Sequence, residues 1–579
     1  IGSLYRMYMD TVARNRMGYE PIKPALAEVA AIKNRKQCER VMYELGAKGY
    51  GTMLFGFGLG QDAINSDQYI FGANQGGIGL DPEYYTQPNE QQKAVVAAYK
   101  SLMKDLFKMV GNSEAMAEKK MQAAFAIEDQ IARQSYDQVK SRDPQANIHK
   151  MSWQDLLRDY PGIDWKQLCL AYGYPSDIDS VDVGQPEPIH EVEKILATAD
   201  LFALKATLEA SVISSSVSLL SDDFVNRRFE YTKAVYGVKE QQPRWKRGLG
   251  FVQGLMGESI GKLYVAKYFP ESSKQRVVEM VHNLQDAFAQ RIGESTWMTD
   301  ATKAKAIEKL RSMRINIGYP DKWQNMEEYV QIDESKSLRA NYDEIIPALR
   351  RRSLEKKWRK PVDKTVFACN PQMVNAFYAP TFNSINFPAA ILQAPFFDAE
   401  ADDAANYGAI GAVIGHEMSH GFDDQGCQFD KDGNLNNWWT DEDKANYSQR
   451  TKVLADWFSA QEVQPGLKVN GEKTLGENIG DNGGINVAFR ALQNVMAKQP
   501  LPEKDGYSAA QRFFLSYARI WASNVAPQFV AYLVNSDVHS PNHLRVNAAL
   551  PHIDAWYEAW NIQPADRLYL APDKRAHIW

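Results

Sequence analysis

Two histidines four residues apart, with a glutamate directly after the first, constrain this chain more than any other feature: His416-Glu417-Met418-Ser419-His420. On a helix such residues share one face, so both imidazoles can reach one cation. Zinc suits nitrogen donors in tetrahedral geometry, and a catalytic site leaves the fourth position to water. The intervening glutamate sits beside that water and can take its proton, giving a hydroxide-like nucleophile near neutral pH. With 9 histidines and 72 acidic residues in 579, chance supplies about 0.02 matches to the pattern. The surrounding stretch from Tyr407 to Phe422 reads as a buried helix with several glycines. Each glycine costs about 1 kcal/mol relative to alanine in a helix interior, so close backbone packing or a special site is expected there.

A catalytic zinc needs a third protein ligand, and two common continuations are excluded. A glycine three residues past His420 and a histidine six past it would mark one class, but Asp423 and Gly426 stand there. A glutamate 19 or 20 residues on would mark another, but those positions are Trp439 and Thr440. Farther along, Gly476-Glu477-Asn478-Ile479-Gly480-Asp481 offers two carboxylates four apart on a helix expected from about Thr474 towards Ala497. Glu477 can complete a His₂Glu set, while Asp481 and Asp423 can each hold the distal N–H of a ligand histidine. Ile479, Gly480, Gly483, Gly484 and Ile485 surround the pair, which is wrong for a solvated face. A purely structural zinc site is disfavoured, since such sites are closed by four protein ligands and are cysteine-rich.

Length and composition bound the rest. A chain of 579 residues corresponds to roughly four domain-sized units, or two large ones. Its 44% hydrophobic and 24% charged residues are ordinary for a globular protein and exclude a collagen-like or largely disordered chain. A net charge of −6 argues against nucleic acid as a partner. No apolar run approaches the roughly 18 residues that span a bilayer, and no signal peptide opens the chain. The opening Leu4-Tyr5-Arg6-Met7-Tyr8-Met9 reads as the middle of a helix, so an upstream segment is expected. Cys38, Cys169, Cys369 and Cys427 form no CxxC pair and no disulfide framework, though they leave room for one or two bridges.

The first 300 or so residues read as mostly helical. Helices are expected over Asn89–Val110, Ser113–Gln134, His190–Val212, Phe224–Tyr236 and Ser273–Ile292, with Thr299 capping another to about Met313. The glycine-rich stretch Gly49–Gly79 lacks the spacing of a nucleotide-binding loop and reads as a turn-rich, partly extended connection. From about Lys364 the texture changes: Thr365–Ala368 and Met373–Ile391 read as strands and turns.

Four motifs together resemble the neprilysin family of zinc endopeptidases, which includes the endothelin-converting enzymes and the bacterial endopeptidase O proteins. They are His416–Asp424 (HEMSHGFDD), Gly476–Gly484 (GENIGDNGG), Val374–Tyr378 (VNAFY) with Phe387–Phe397 (FPAAILQAPFF), and Val538–Arg545 (VHSPNHLR). Tyr5–Gly18 and Gly79–Tyr85 resemble the same family, and the cysteines of its animal members have no counterpart here, so the pattern is that of a bacterial endopeptidase O. The resemblance implies one zinc per chain, held by His416, His420 and Glu477, with Glu417 as catalytic base and Asp423 and Asp481 orienting the histidines. It implies His539 as the stabiliser of the oxyanion and Arg545 as the group that holds a substrate carbonyl. Asn375 and Ala376 would hydrogen-bond an extended peptide along an edge strand. Ile391, Phe396, Val413, Ile520 and Trp521 would line the pocket for the residue after the scissile bond. The implied fold is mainly α with a smaller α/β part, in two lobes enclosing a cavity: a helical lid lobe over residues 1–300 and a thermolysin-like catalytic lobe over 301–579. The implied function is zinc-dependent endopeptidase cleavage of short peptides on the amino side of large hydrophobic residues, through glutamate-assisted attack of a zinc-bound water. A peptide-binding protein that has lost catalysis is disfavoured, because every catalytic position carries the expected residue type. The resemblance also implies an extracytoplasmic setting, with any membrane anchor in the upstream segment.

Overall fold

The computed structural model describes residues 1–579. Helices dominate, with three small sheets. The contacts divide the chain into two units, one of residues 1–62, 67–257 and 325–362, the other of residues 63–66, 258–324 and 363–579. A single cut near residue 300 therefore does not describe the division. The helix Glu271–Glu294 buries Val277, Val281, Leu284, Phe288 and Ile292 in the core of the second unit. Leu354 and Trp358, far later in sequence, pack against the core of the first.

The first unit holds a four-stranded sheet ordered β1-β2-β4-β3, made of β1 (Phe55–Gln61), β2 (Tyr69–Gln75), β3 (Lys150–Ser152) and β4 (Ser180–Val183). β1 and β2 form an antiparallel hairpin with Gly58 opposite Gly72. The glycine-rich stretch is thus more regular than a turn-rich connection. Gly56, Gly58 and Gly60 alternate with Phe55, Phe57 and Leu59, the period of two that a strand requires. Phe57 stacks on Phe71 of the partner strand, ring centres 5.4 Å apart.

Helices pack around this sheet. Asn89 and Gln92 cap α1 (Glu90–Met109) reciprocally, and the Ser113 hydroxyl accepts from the Met116 amide at the start of α2 (Glu114–Gln134). The run expected from His190 to Val212 is two helices, α3 (Pro186–Thr198) and α4 (Leu201–Ser216). The break falls at Asp200, whose carboxylate accepts from the Phe202 amide and starts the second helix. α5 (Asp222–Tyr236) follows in the same unit.

The second unit contains α6 (Glu271–Glu294) and α7 (Asp300–Ser312), the latter capped by Thr299. Strands β5 (Arg314–Gly318), β6 (Phe377–Ala379) and β7 (Ser384–Pro388) form a sheet ordered β5-β7-β6, which leaves β6 at an edge. Residues 365–368, expected to be extended, form no strand. A π-helical turn, Tyr407–Gly411, leads into α8 (Ala412–Ser419), and α9 (Leu475–Lys498) packs along it. α10 (Ala509–Ile520) and α11 (Asn542–Asn547) follow. All four cysteines are free thiols. No helix is long and apolar enough to cross a membrane.

Candidate metal centre

Glycines set the distance between α8 and α9. A Cβ at Gly415 would stand 2.8 Å from the Gly484 carbonyl oxygen, and one at Gly484 would stand 2.5 Å from the Ala412 carbonyl oxygen. Gly480 lies under the His416 ring, where a Cβ would come within 2.8 Å of it. Backbone thus meets backbone, and the side chains at 416, 420, 477 and 481 are brought face to face in the core. His416, Glu477 and Asp481 are each less than a tenth exposed.

Each imidazole is oriented from behind by a carboxylate. His416 Nδ1 lies 2.9 Å from Asp481 Oδ1, and His420 Nδ1 lies 2.7 Å from Asp423 Oδ2. Carboxylates only accept, so each ring keeps its proton on Nδ1 and presents the Nε2 lone pair. The two Nε2 atoms are 2.9 Å apart, and Glu477 Oε2 is 3.2 Å from one and 3.5 Å from the other. These three donor atoms are the group in the protein able to hold a metal ion. A tetrahedral ion with bonds of about 2.0–2.1 Å places its ligand atoms about 3.4 Å apart, so the triangle fits a zinc-sized cation. Three lone-pair donors this close would repel one another with no cation among them.

The electrostatics agree. Burial opposes charge on His416, but Asp481 and Glu477 outweigh it and raise its pKa. Burial likewise opposes charge on His420, yet Glu477 and Asp423 lift it well above the ordinary value. Glu477 is held well below the carboxylate range by the histidines, against its own desolvation. The surrounding carboxylates make the pocket favour positive charge.

Asp481 also takes a two-pronged hydrogen bond from Arg545, whose Nε and Nη2 donate at 2.8 and 2.7 Å. Its carboxyl is lowered to about 2, burial opposing and Arg545 prevailing. The guanidinium lies 3.8 Å over the Trp521 ring, and the Arg545 carbonyl accepts from the Tyr517 hydroxyl at 2.9 Å. His539 has its side chain 43% exposed and its Nε2 3.2 Å from Glu477 Oε2.

Family models for "Peptidase family M13" match residues 1–320 and 375–576. The chain belongs to peptidase family M13. It is 31% identical to the neutral endopeptidase of Lactobacillus helveticus, over 100% of this chain and 87% of that protein. It is 29% identical to human neprilysin, over 100% of this chain and 82% of that protein. Among solved structures it is similar to the Mycobacterium tuberculosis zinc metalloprotease Zmp1 in complex with inhibitor, at 35% identity and a TM-score of 0.95, covering 100% of this chain and 88% of that one. It is also similar to PepO from Lactobacillus rhamnosis, at 28% identity and a TM-score of 0.91, covering 100% and 90%.

Around the metal centre of this M13 chain, the other residues singled out in the sequence fall as follows. Glu417 is buried on α8, one residue from His416. Ile391, Val413 and Ile520 belong to one buried apolar cluster, and Phe396, Trp521 and Ala376 pack against it. Asn375 is exposed and, with Ala376, directly precedes the edge strand β6. Two polar partners escaped the sequence reading. Asp537 Oδ1 lies 2.8 Å from His539 Nδ1, and the Ser540 hydroxyl donates to Asn478 Oδ1 at 2.9 Å, tying the His539 loop to α9. The Asp-x-His spacing at 537–539 was the available signal for the first; the second pairs residues 62 apart, and no local pattern announces it.

Proposed function

We propose that this M13 peptidase is a zinc-dependent endopeptidase that hydrolyses short peptides on the amino side of large hydrophobic residues. The observation that carries the reading is the triangle of His416 Nε2, His420 Nε2 and Glu477 Oε2, each imidazole backed by its own carboxylate. When bound, zinc supplies Lewis acidity, lowering the pKa of a water and polarising a peptide carbonyl. In this reading the Glu417 carboxylate accepts the proton of the attacking water and later delivers it to the departing amine nitrogen. His539, raised to about 9 by Asp537 and Glu477 against desolvation, is cationic at neutral pH and donates to the developing oxyanion. Arg545, fixed by Asp481 and the Trp521 face, holds a substrate carbonyl. Asn375 and Ala376, at the head of the edge strand, pair with an extended peptide backbone. The apolar group Ile391, Phe396, Val413, Ile520 and Trp521 favours a bulky side chain after the scissile bond. By analogy with the neprilysin family, the setting is extracytoplasmic.

Incubation with an internally quenched peptide bearing a central Phe or Leu, with fragments identified by mass spectrometry, tests the reading. Chelator-sensitive cleavage on the amino side of that residue is expected. Glu417→Gln should retain one zinc per chain and lose turnover; a zinc-loaded E417Q that still cleaves would remove Glu417 from the mechanism.

A further inference from the structure

The core beside the metal centre contains a lysine. Lys309 on α7 is 1% exposed. Its ammonium donates three hydrogen bonds, to the carbonyls of Gly421 at 2.6 Å, Gly426 at 2.7 Å and Phe429 at 2.7 Å. An ammonium has three N–H donors, so its capacity is filled. The faces of Phe422 and Trp438 lie 5.5 and 5.7 Å away.

All three acceptors belong to one loop, the segment that follows His420. Its backbone is turned inside out, with carbonyls pointing into the core. Lys309 serves three of them; the Tyr447 hydroxyl serves Phe422 at 2.8 Å, the Trp439 indole serves Cys427 at 3.0 Å, and the Trp438 indole also donates to Phe429 at 2.9 Å. The arrangement resembles a carbonyl cage around a cation, with the cation supplied by a side chain.

The cage connects to the metal centre through Asp423. The Gly426 amide donates to Asp423 Oδ1 at 2.6 Å, while Asp423 Oδ2 holds His420 Nδ1. A Cβ at Gly426 would lie 1.7 Å from the His420 carbonyl oxygen, so this turn is wound as tightly as a chain allows. Moving Gly426 outward therefore withdraws a hydrogen bond from the carboxylate that orients the second histidine.

We propose that Lys309 is a positioning residue for the metal centre, which acts through the 421–429 loop and Asp423 to hold His420 in its ligand orientation. The proposal rests on the zinc reading above. Without the ammonium, the buried Gly421 carbonyl loses its partner, Gly426 keeps only the Phe429 amide and Phe429 only the Trp438 indole, and the loop relaxes to rehydrate them. Groups that support a metal ligand typically change metal affinity about 10- to 100-fold when removed.

The test is zinc release from the full chain into a colorimetric chelator, for the wild type, Lys309→Met, Asp423→Ala and the double variant, with thermal unfolding alongside. K309M is expected to release zinc about 10- to 100-fold faster than the wild type. Because the two residues act in series, K309M/D423A should release it no faster than D423A alone. A merely structural lysine would lower the melting temperature and leave the release rate unchanged, or its effect on release would add to that of D423A; either result overturns the proposal. If K309M does not fold, K309A supplied with propylammonium replaces it: recovered zinc retention with propylammonium but not with 1-propanol supports the cage, and no recovery overturns it. A wild-type chain that holds no zinc would instead overturn the proposed function on which this rests.

Discussion

His552 shows how much a single buried side chain can carry outside the metal centre. It is 2% exposed, its Nδ1 accepts from the Ala576 amide at 2.9 Å, and its ring meets the Trp457 face edge-on. Burial, with the nearby His577 and Arg575, pushes its pKa down from 6.5 to about 4. In the unfolded chain the imidazole takes a proton below pH 6.5, whereas the folded chain refuses it until pH 4. The unfolded state binds more protons across that window, so stability is full above pH 6.5 and falls as pH drops towards 4. The loss amounts to about 3 kcal/mol. His552→Asn, which keeps an acceptor near Nδ1 and cannot titrate, should lose that much less stability between pH 7 and pH 4 in urea titrations. Parallel pH profiles for the two proteins would show that folding leaves the His552 pKa unshifted. Nothing in the sequence marks this residue apart from the other histidines, whereas His416 and His420 were legible because helical spacing ties them together. Lys309 had a faint signal: it follows Thr302 and Ala306 on the buried face of α7, where a lysine is out of pattern.

Between elements, the decisive contact is α8 against α9, and glycine governs it. Gly484 faces the Ala412 carbonyl oxygen at 2.5 Å and the His416 amide nitrogen at 2.7 Å from an ideal Cβ, both backbone atoms that cannot swing aside. Gly484→Ala should therefore push the helices apart, cost about 1–3 kcal/mol and carry His416 away from Glu477. Gly293, near the end of α6, has no atom within 4 Å of an ideal Cβ. Gly293→Ala should be neutral or stabilise by up to about 1 kcal/mol. Denaturant unfolding and zinc titration of the pair give the comparison; a G484A protein with unchanged stability and zinc affinity would mean that the close approach does not set the ligand geometry. The sequence announced glycines in a buried helix and so anticipated tight packing, but not its partner. Elements set by local chemistry were readable: Asn89, Ser113 and Thr299 each cap the helix that follows. Elements set by distant atoms were not. The π turn at Tyr407–Gly411 lies where a Cβ at Gly408 would stand 2.1 Å from the Phe513 carbonyl oxygen, a constraint about 100 residues away in sequence.

At the scale of the whole molecule, the chain enters and leaves each unit more than once, and the unit that holds His416 and Glu477 begins before the boundary that texture alone suggests. The helix α6 lies in the half that reads as uniformly helical, and nothing in its amphipathic pattern says which core it serves. Its Val277, Val281, Leu284, Ala287, Phe288 and Ile292 are all fully buried in the cluster that also holds Ile414, Phe422 and Ile485. Burying a large aliphatic or aromatic side chain is worth about 1.5–3 kcal/mol, so α6 contributes on the order of 10 kcal/mol, comparable to the whole stability of a typical domain. Residues 301–579 produced alone should therefore show no cooperative unfolding and bind no stoichiometric zinc, although they contain His416, His420 and Glu477, the three proposed ligands. Residues 258–579, with 325–362 replaced by a flexible Gly-Ser linker, restore α6 and omit the segment that packs with the other core. That chain should unfold cooperatively in calorimetry and hold one zinc. A cooperative, zinc-binding 301–579 fragment would show that the ligand helices need no support from α6, and that the packing of Phe288 against Phe422, ring centres 5.3 Å apart, is dispensable for the metal centre.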